Sequence, residues 1–267
     1  MKKWSGKWAL VTGASSGIGW ALAEQLAADG ANLLLTARRA DRLAQLANDV
    51  AEGYKVQAQV LPADLTKPAS VNAIHRFVTE KELPIEVLVN NAGFGAYGEF
   101  RKVNTQRFLD MVQVNVAAVV QLTHLFLPSM VERRSGYILI VASTAAFQPV
   151  PYISTYAATK GFDLLFAEGL AEEVRRYGVR VCALCPGPTV SEFNLVAGQP
   201  RHMGARFESS EKVARVGLKA LAEGKPRVIS GTLNWLTVEA QRIAPRRLVT
   251  RAAARMFMPE QGAGNQV

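Results

Sequence analysis

The chain has 267 residues, 49% of them apolar, which suffices for a large buried core and fits one α/β domain of generous size. Its formal charge of +9 is uneven: residues 201–267 carry 12 Lys or Arg against 5 Glu and no Asp, so +7 lies there and +2 in the first 200 residues. A basic excess suits nucleic acid, anionic lipid or an acidic partner, but no zinc-finger or RNA-recognition pattern is present and nucleic acid is not expected.

The opening stretch MKKWSGKWALVTG is basic, yet its apolar run is too short for a signal peptide. No run approaches the roughly 20 apolar residues that span a bilayer, so the expectation is a soluble, cytoplasmic protein. Seven aliphatic runs bounded by turn residues read as strands: KWALVT, ANLLLT, VQAQVL, IEVLVN, YILIVA, VRVCAL and RVIS. Helical spacing fills the gaps, in GWALAEQLAAD, ADRLAQLANDVAE, SVNAIHRFVTEKE, RFLDMVQVNVAAVVQLTHLFLPSMVERR, TYAATKGFDLLFAEGLAEEVRRY and SEKVARVGLKALAEG. This alternation predicts an α/β fold, a doubly wound parallel sheet with helices on both faces, as a single domain over residues 1–267. The weakly periodic stretch from Pro186 to about Arg206 is expected to be a substrate loop, about 186–210.

Cys182 and Cys185 lie on one predicted strand and point to opposite faces, so they are expected to be packing residues without a redox or metal role. His75, His124 and His202 lack ligand spacing, and no metal site is expected.

After the first strand comes TGASSGIG, with Gly13, Gly17 and Gly19 before an amphipathic helix. Glycines there let the backbone turn tightly and approach a pyrophosphate at the helix N-terminus. The expected dinucleotide contacts in this turn are Gly13, Ser15, Ser16, Gly17, Ile18 and Gly19. The second strand ends in TARRADRL, where enzymes that use NAD(H) usually place an acid for the ribose 2′-hydroxyl. Here no carboxylate would repel a 2′-phosphate, and arginine can grip it, so NADP(H) is favoured over NAD(H) with Arg38 the first choice and Arg39 assisting.

Tyr156 and Lys160, in STYAATKG, stack on one helix face. The pair alone also fits a solvated helix surface. A fixed cation nevertheless favours the phenolate and can make a phenol of ordinary pKa ~10 usable near neutrality.

With TGASSGIG, NNAG at 90–93 and YAATK in order, the chain resembles the short-chain dehydrogenase/reductase (SDR) family over about residues 8–230. The resemblance implies a Rossmann-type domain with about seven strands and a reversible reduction of a ketone or aldehyde to an alcohol. It implies a catalytic set: Asn115 supporting a water relay to the lysine, Ser143 bonding the substrate oxygen, Tyr156 as general acid or base, and Lys160 lowering its pKa and binding the nicotinamide ribose. Further cofactor contacts implied are Asp64 and Leu65 in PADLT; Asn91, Ala92 and Gly93; and Pro186, Gly187, Thr189 and Ser191 in PGPTVSEF. It also implies a homodimer or homotetramer.

Phe94, Phe147, Val150, Phe193, Leu195 and Met203 fall in loops expected around the reacting carbon and suggest a hydrophobic carbonyl substrate. The basic helical extension, about 232–258, repeats Arg247, Arg251 and Arg255 beside apolar Leu248, Val249, Ala252 and Met256, with Pro245 dividing two helical pieces. That pattern fits a packed terminal helix, a partner chain, or peripheral contact with an anionic membrane. The alternative to an enzyme is a catalytically idle NADP(H)-binding sensor on the same fold. An epimerase or dehydratase is the third reading, disfavoured because those relatives resemble longer chains.

Overall fold

All five residues of Trp8–Thr12 are buried, the pattern of a strand covered on both faces. A computed structural model describes residues 3–199 and 207–259. Its strands are β1 (Trp8–Thr12), β2 (Asn32–Thr36), β3 (Ala58–Val60), β4 (Ile85–Asn90), β5 (Gly136–Val141), β6 (Val179–Cys185) and β7 (Arg227–Ile229). They form one parallel sheet in the order β3-β2-β1-β4-β5-β6-β7, matching the seven expected strands.

The helices are α1 (Gly17–Ala28), α2 (Ala40–Tyr54), α3 (Pro68–Glu80), α4 (Thr105–Val112), α5 (Ala118–Glu132), α6 (Ser154–Val174), α7 (Phe193–Ala197), α8 (Ser210–Glu223), α9 (Thr232–Ile243) and α10 (Arg246–Phe257). Side chains alternate across each strand. Leu33 and Leu35 therefore face one core with Leu22 of α1, Leu46 of α2 and Leu218 of α8. Leu34 faces the other, with Ile74 of α3, Phe126 of α5 and Leu164 of α6. Cys182 packs in the first core and Cys185 in the second, as expected, and burial pushes both thiols up to about 12.

The predicted helix over 107–134 is present, with one irregularity that matters below. Between α4 and α5 the five residues Gln113–Ala117 form a π-turn, in which the Ala118 N–H donates to the Gln113 carbonyl. Contrary to expectation, the continuous helix Thr105–Glu132 is long and apolar enough to cross a bilayer. In this fold its Val119, Leu122, Phe126 and Met130 pack against the sheet.

Pro245 separates α9 from α10 as predicted. On α10 the apolar Leu248 and Met256 are 58% and 64% exposed, leaving the membrane and partner readings of this face open. Ala253 and Phe257 turn inward instead and join Met111, Val150, Ile153 and Tyr156 in a third apolar cluster.

Candidate active site

β1 lies between β2 and β4, so the connections leaving the strand ends diverge and open a crevice at the C-terminal edge of the sheet. The glycine turn forms one wall. Gly13 has φ +66°, and a Cβ there would stand 2.8 Å from Asn91 Nδ2; a Cβ on Gly19 would stand 2.3 Å from the Gly13 carbonyl. Neither position has room for a side chain. Asn91 closes the turn from β4 by donating from Nδ2 to the carbonyls of Thr12 and Gly13, while the Asn91 and Ala92 N–H groups donate to Thr12 Oγ1.

The crevice is one continuous cavity of about 770 Å³. Every expected cofactor residue reaches it, from Gly13 through Arg38, Asp64, Leu65 and Gly93 to Pro186 and Ser191. Asp64 holds its own turn, accepting from the Thr66 N–H. Thr189 and Ser191 bond locally, Thr189 Oγ1 to the Gly187 carbonyl and Ser191 Oγ to the Thr189 carbonyl.

Arg38 and Arg39 both line the cavity, as expected. Arg39, not Arg38, lies against the glycine turn, with Nε and Nη2 on Ser15 Oγ at 3.3 and 3.1 Å. The same guanidinium grips Glu192 at 3.2 and 2.8 Å. Adjacent positions at a helix start project in different directions, a difference that neighbouring letters do not reveal. Glu192 was not singled out by the sequence, and its carboxyl is held below the usual range by Arg39, with help from Ser16 and Arg42.

At the other end, Ser143 caps the short turn Thr144–Phe147, with Oγ accepting from the Ala145 N–H. Tyr156 and Lys160 follow on the first turns of α6, both buried and both lining the cavity. The Tyr156 ring lies 5.0 Å from that of Phe193 and 6.0 Å from Lys160 Nζ, centroid distances. Burial raises the phenol above its ordinary value, against the lowering effects of Lys160 and the Ser143 hydroxyl; Asp163 adds a smaller upward push. Lys160 thus acts on the phenol in the expected direction, downward, while desolvation is the larger effect here.

Asn115 is fully buried beneath the cavity wall, turned inward from the π-turn. Its amide clamps the Phe94 backbone, accepting from the N–H at 3.1 Å and donating to the carbonyl at 3.0 Å, with a further bond to Thr159 Oγ1. Lys160 Nζ bonds the Val141 carbonyl at 2.7 Å and the Asp163 carboxylate at 2.9 Å. Asp163 was another omission, although its spacing of three from Lys160 on a helix was a readable signal.

Of the expected substrate residues, Phe94 and Phe193 line the cavity. Val150 is buried in the third apolar cluster and Phe147 packs on the second core, so neither belongs to the wall. Leu195 is 84% exposed and faces solvent, because the short helix α7 turns only one side inward. Met203 and His202 lie outside the described residues. Unexpected apolar lining comes from Ile153 and, from α10, Met256 and Phe257. Among the described residues no group of acidic, Cys or His side chains could hold a metal.

The short chain dehydrogenase family model matches residues 7–200. The inactive hydroxysteroid dehydrogenase-like protein 1 of Homo sapiens is 34% identical over 183 residues, 68% of this chain and 55% of that protein. The chain thus spans little more than half the length of that relative. The very-long-chain 3-oxoacyl-CoA reductase-B of Danio rerio is 31% identical over 264 residues, covering 96% of this chain and 82% of that protein. Among solved structures, a short-chain dehydrogenase from Sphingobium yanoikuyae in complex with NADPH superposes with a TM-score of 0.80 at 28% identity, covering 98% of this chain and all of that one. The parallel sheet, the closed glycine turn and the Ser143, Tyr156 and Lys160 wall are thus the parts of a family pattern: the chain belongs to the short-chain dehydrogenases.

Proposed function

We propose that the protein is an NADPH-dependent reductase of an apolar ketone or aldehyde, working reversibly as an alcohol dehydrogenase. The observation that carries this reading is that one cavity joins the glycine turn at one end to Ser143, Tyr156 and Lys160 at the other. The chain's own geometry fits a dinucleotide: Gly13 and Gly19, where a Cβ would meet Asn91 and the Gly13 carbonyl, let the turn fold tightly at the N-terminus of α1, and Arg39 adds a guanidinium beside Ser15. When bound, the nicotinamide supplies the hydride.

The remaining work belongs to the side chains. Tyr156 gives its phenolic proton to the carbonyl oxygen, and Ser143 donates a hydrogen bond to the same oxygen. The Lys160 ammonium favours the phenolate left behind. Asn115 holds the Phe94 segment in place through three hydrogen bonds, two of them to the Phe94 backbone and one to Thr159. Phe94, Phe193, Ile153 and Phe257 give the reacting end apolar walls, which favour a hydrophobic substrate. Resemblance to the fish 3-oxoacyl-CoA reductase supports a long-chain carbonyl within that class.

The sensor reading is favoured by likeness to a human protein named inactive. A sensor has no use for a serine, a phenol and an ammonium converging on one wall, which supports the enzyme. Loss of NADPH absorbance with ketones and aldehydes graded in size and polarity tests the choice: turnover with apolar members supports the reductase, and tight NADPH binding without turnover supports the sensor.

We also propose peripheral contact with anionic membranes through α9 and α10. Leu233, Trp235, Leu236, Ile243 and Leu248 are exposed large apolar side chains on these helices, and Arg246, Arg247, Arg251 and Arg255 are exposed beside them. Since Met256 and Phe257 line the cavity, such contact would set its mouth near lipid. Co-sedimentation with phosphatidylserine vesicles that is unchanged on deleting the residues after 231, which removes α9 and α10 together, would remove this idea.

A further inference from the structure

Asp163 has no role in the mechanism above, yet it is 1% exposed and its Oδ2 lies 2.9 Å from Lys160 Nζ. Its other oxygen, Oδ1, has no hydrogen-bond partner. Both carboxylate oxygens are thus kept from water with one cation to compensate them, a costly arrangement and a poor source of stability. An ammonium has three donors. Lys160 uses one on Val141 and one on Asp163, which leaves one. Nζ also lies 3.5 Å from the point where a Cβ on Gly93 would stand, so the free donor has the cofactor side of the cavity beside it.

The geometry points to Asp163 as a positioning residue for Lys160: its carboxylate keeps the buried ammonium charged and leaves a single N–H for the Tyr156 and ribose side. The inference rests on the reading of Tyr156 and Lys160 as catalytic. Burial alone favours the neutral amine, and Asp163 is the largest influence opposing it, followed by Tyr156. The other groups facing Nζ are neutral or already paired. From β5 it meets the Val141 carbonyl, and from β6 the Cys185 thiol, which burial, Cys182 and Glu168 push up to about 12. Asn115 contributes a neutral amide, its Oδ1 lying with Nζ beside Gly93, and beyond Cys185 Glu168 pairs with Arg227 at 2.9 Å.

The test compares wild type, Asp163→Asn and Asp163→Glu in NADPH-dependent reduction across pH. In Asp163→Asn the alkaline limb of kcat is expected to move down by about one pH unit or more, with an approximately ten-fold loss at alkaline pH and little change in KM. Asp163→Glu, which keeps a carboxylate, is expected to hold the limb near that of wild type. A limb that stays in place in Asp163→Asn, even with a lowered melting temperature, overturns the inference and leaves a structural role alone. A second readout needs no turnover and no stable Asp163 variant: the infrared spectrum of wild type labelled with ¹³C-aspartate. An ionised Asp163 gives no protonated-carboxyl band at neutral pH, and Lys160→Met makes one appear. Such a band in wild type overturns the ion pair, whereas a wild type inert toward every carbonyl overturns the reductase reading instead.

Discussion

Arg39 Nη2 lies 2.8 Å from Glu192 Oε2, a bridge across the cavity mouth between the start of α2 and the loop that follows β6. The same guanidinium rests on Ser15 of the glycine turn. A phosphate on the adenosine ribose would compete with Glu192 for this group.

Replacing Arg39 with alanine is therefore expected to weaken NADPH binding by about 10- to 100-fold, the range for hydrogen bonds to charged groups, and to leave NADH binding nearly unchanged. Glu192→Gln should shift affinity the other way, toward tighter NADPH. Fluorescence titration of both nucleotides checks this, and equal losses for the two in Arg39→Ala would contradict the assignment.

Gly19→Ala would place a methyl group 2.3 Å from the Gly13 carbonyl. Backbone must move to admit it, so stability is expected to fall by about 1–3 kcal/mol together with nucleotide affinity. Thermal unfolding and NADPH titration of the variant measure the two effects.

The pH dependence follows from the sign of the Tyr156 shift, which burial sets upward. Reduction uses the protonated phenol, so its rate should hold through neutrality and fall only on the alkaline side. Alcohol oxidation needs the phenolate and should climb over the same interval. Initial rates in both directions across pH check the pair of slopes; a reduction rate that declines through neutrality would show a phenol pKa pulled down instead.

Much of this was legible in the chain. The runs NLLLT and YILIV are buried strands because they are continuous, aliphatic and bounded by turn residues, and the β-α alternation left a parallel sheet as the consistent arrangement. Gly13, Tyr156 and Lys160 were readable because chemistry restricts each to a few residue types at one spacing. Direction was harder to read. Arg38 and Arg39 are neighbours in sequence, and only the entry into α2 decides which guanidinium meets Ser15. Leu195 looks like pocket lining until α7 turns it to solvent. The π-turn that buries Asn115 adds one backbone unit to a helical turn, leaving the hydrophobic periodicity around it almost intact. Glu192 and Asp163 matter through partners in space, Arg39 and Lys160, and charged side chains in a loop or helix ordinarily read as solvated surface.

The central claim is that Tyr156 moves the proton in an NADPH-dependent carbonyl reduction. It is tested most directly by single-turnover reduction of an apolar ketone, with Tyr156→Phe run beside the wild type and NADPH binding measured in both. The account predicts a loss of about 10²- to 10⁴-fold in the chemical step with nucleotide affinity unchanged. A Tyr156→Phe protein that turns over at the wild-type rate would contradict it.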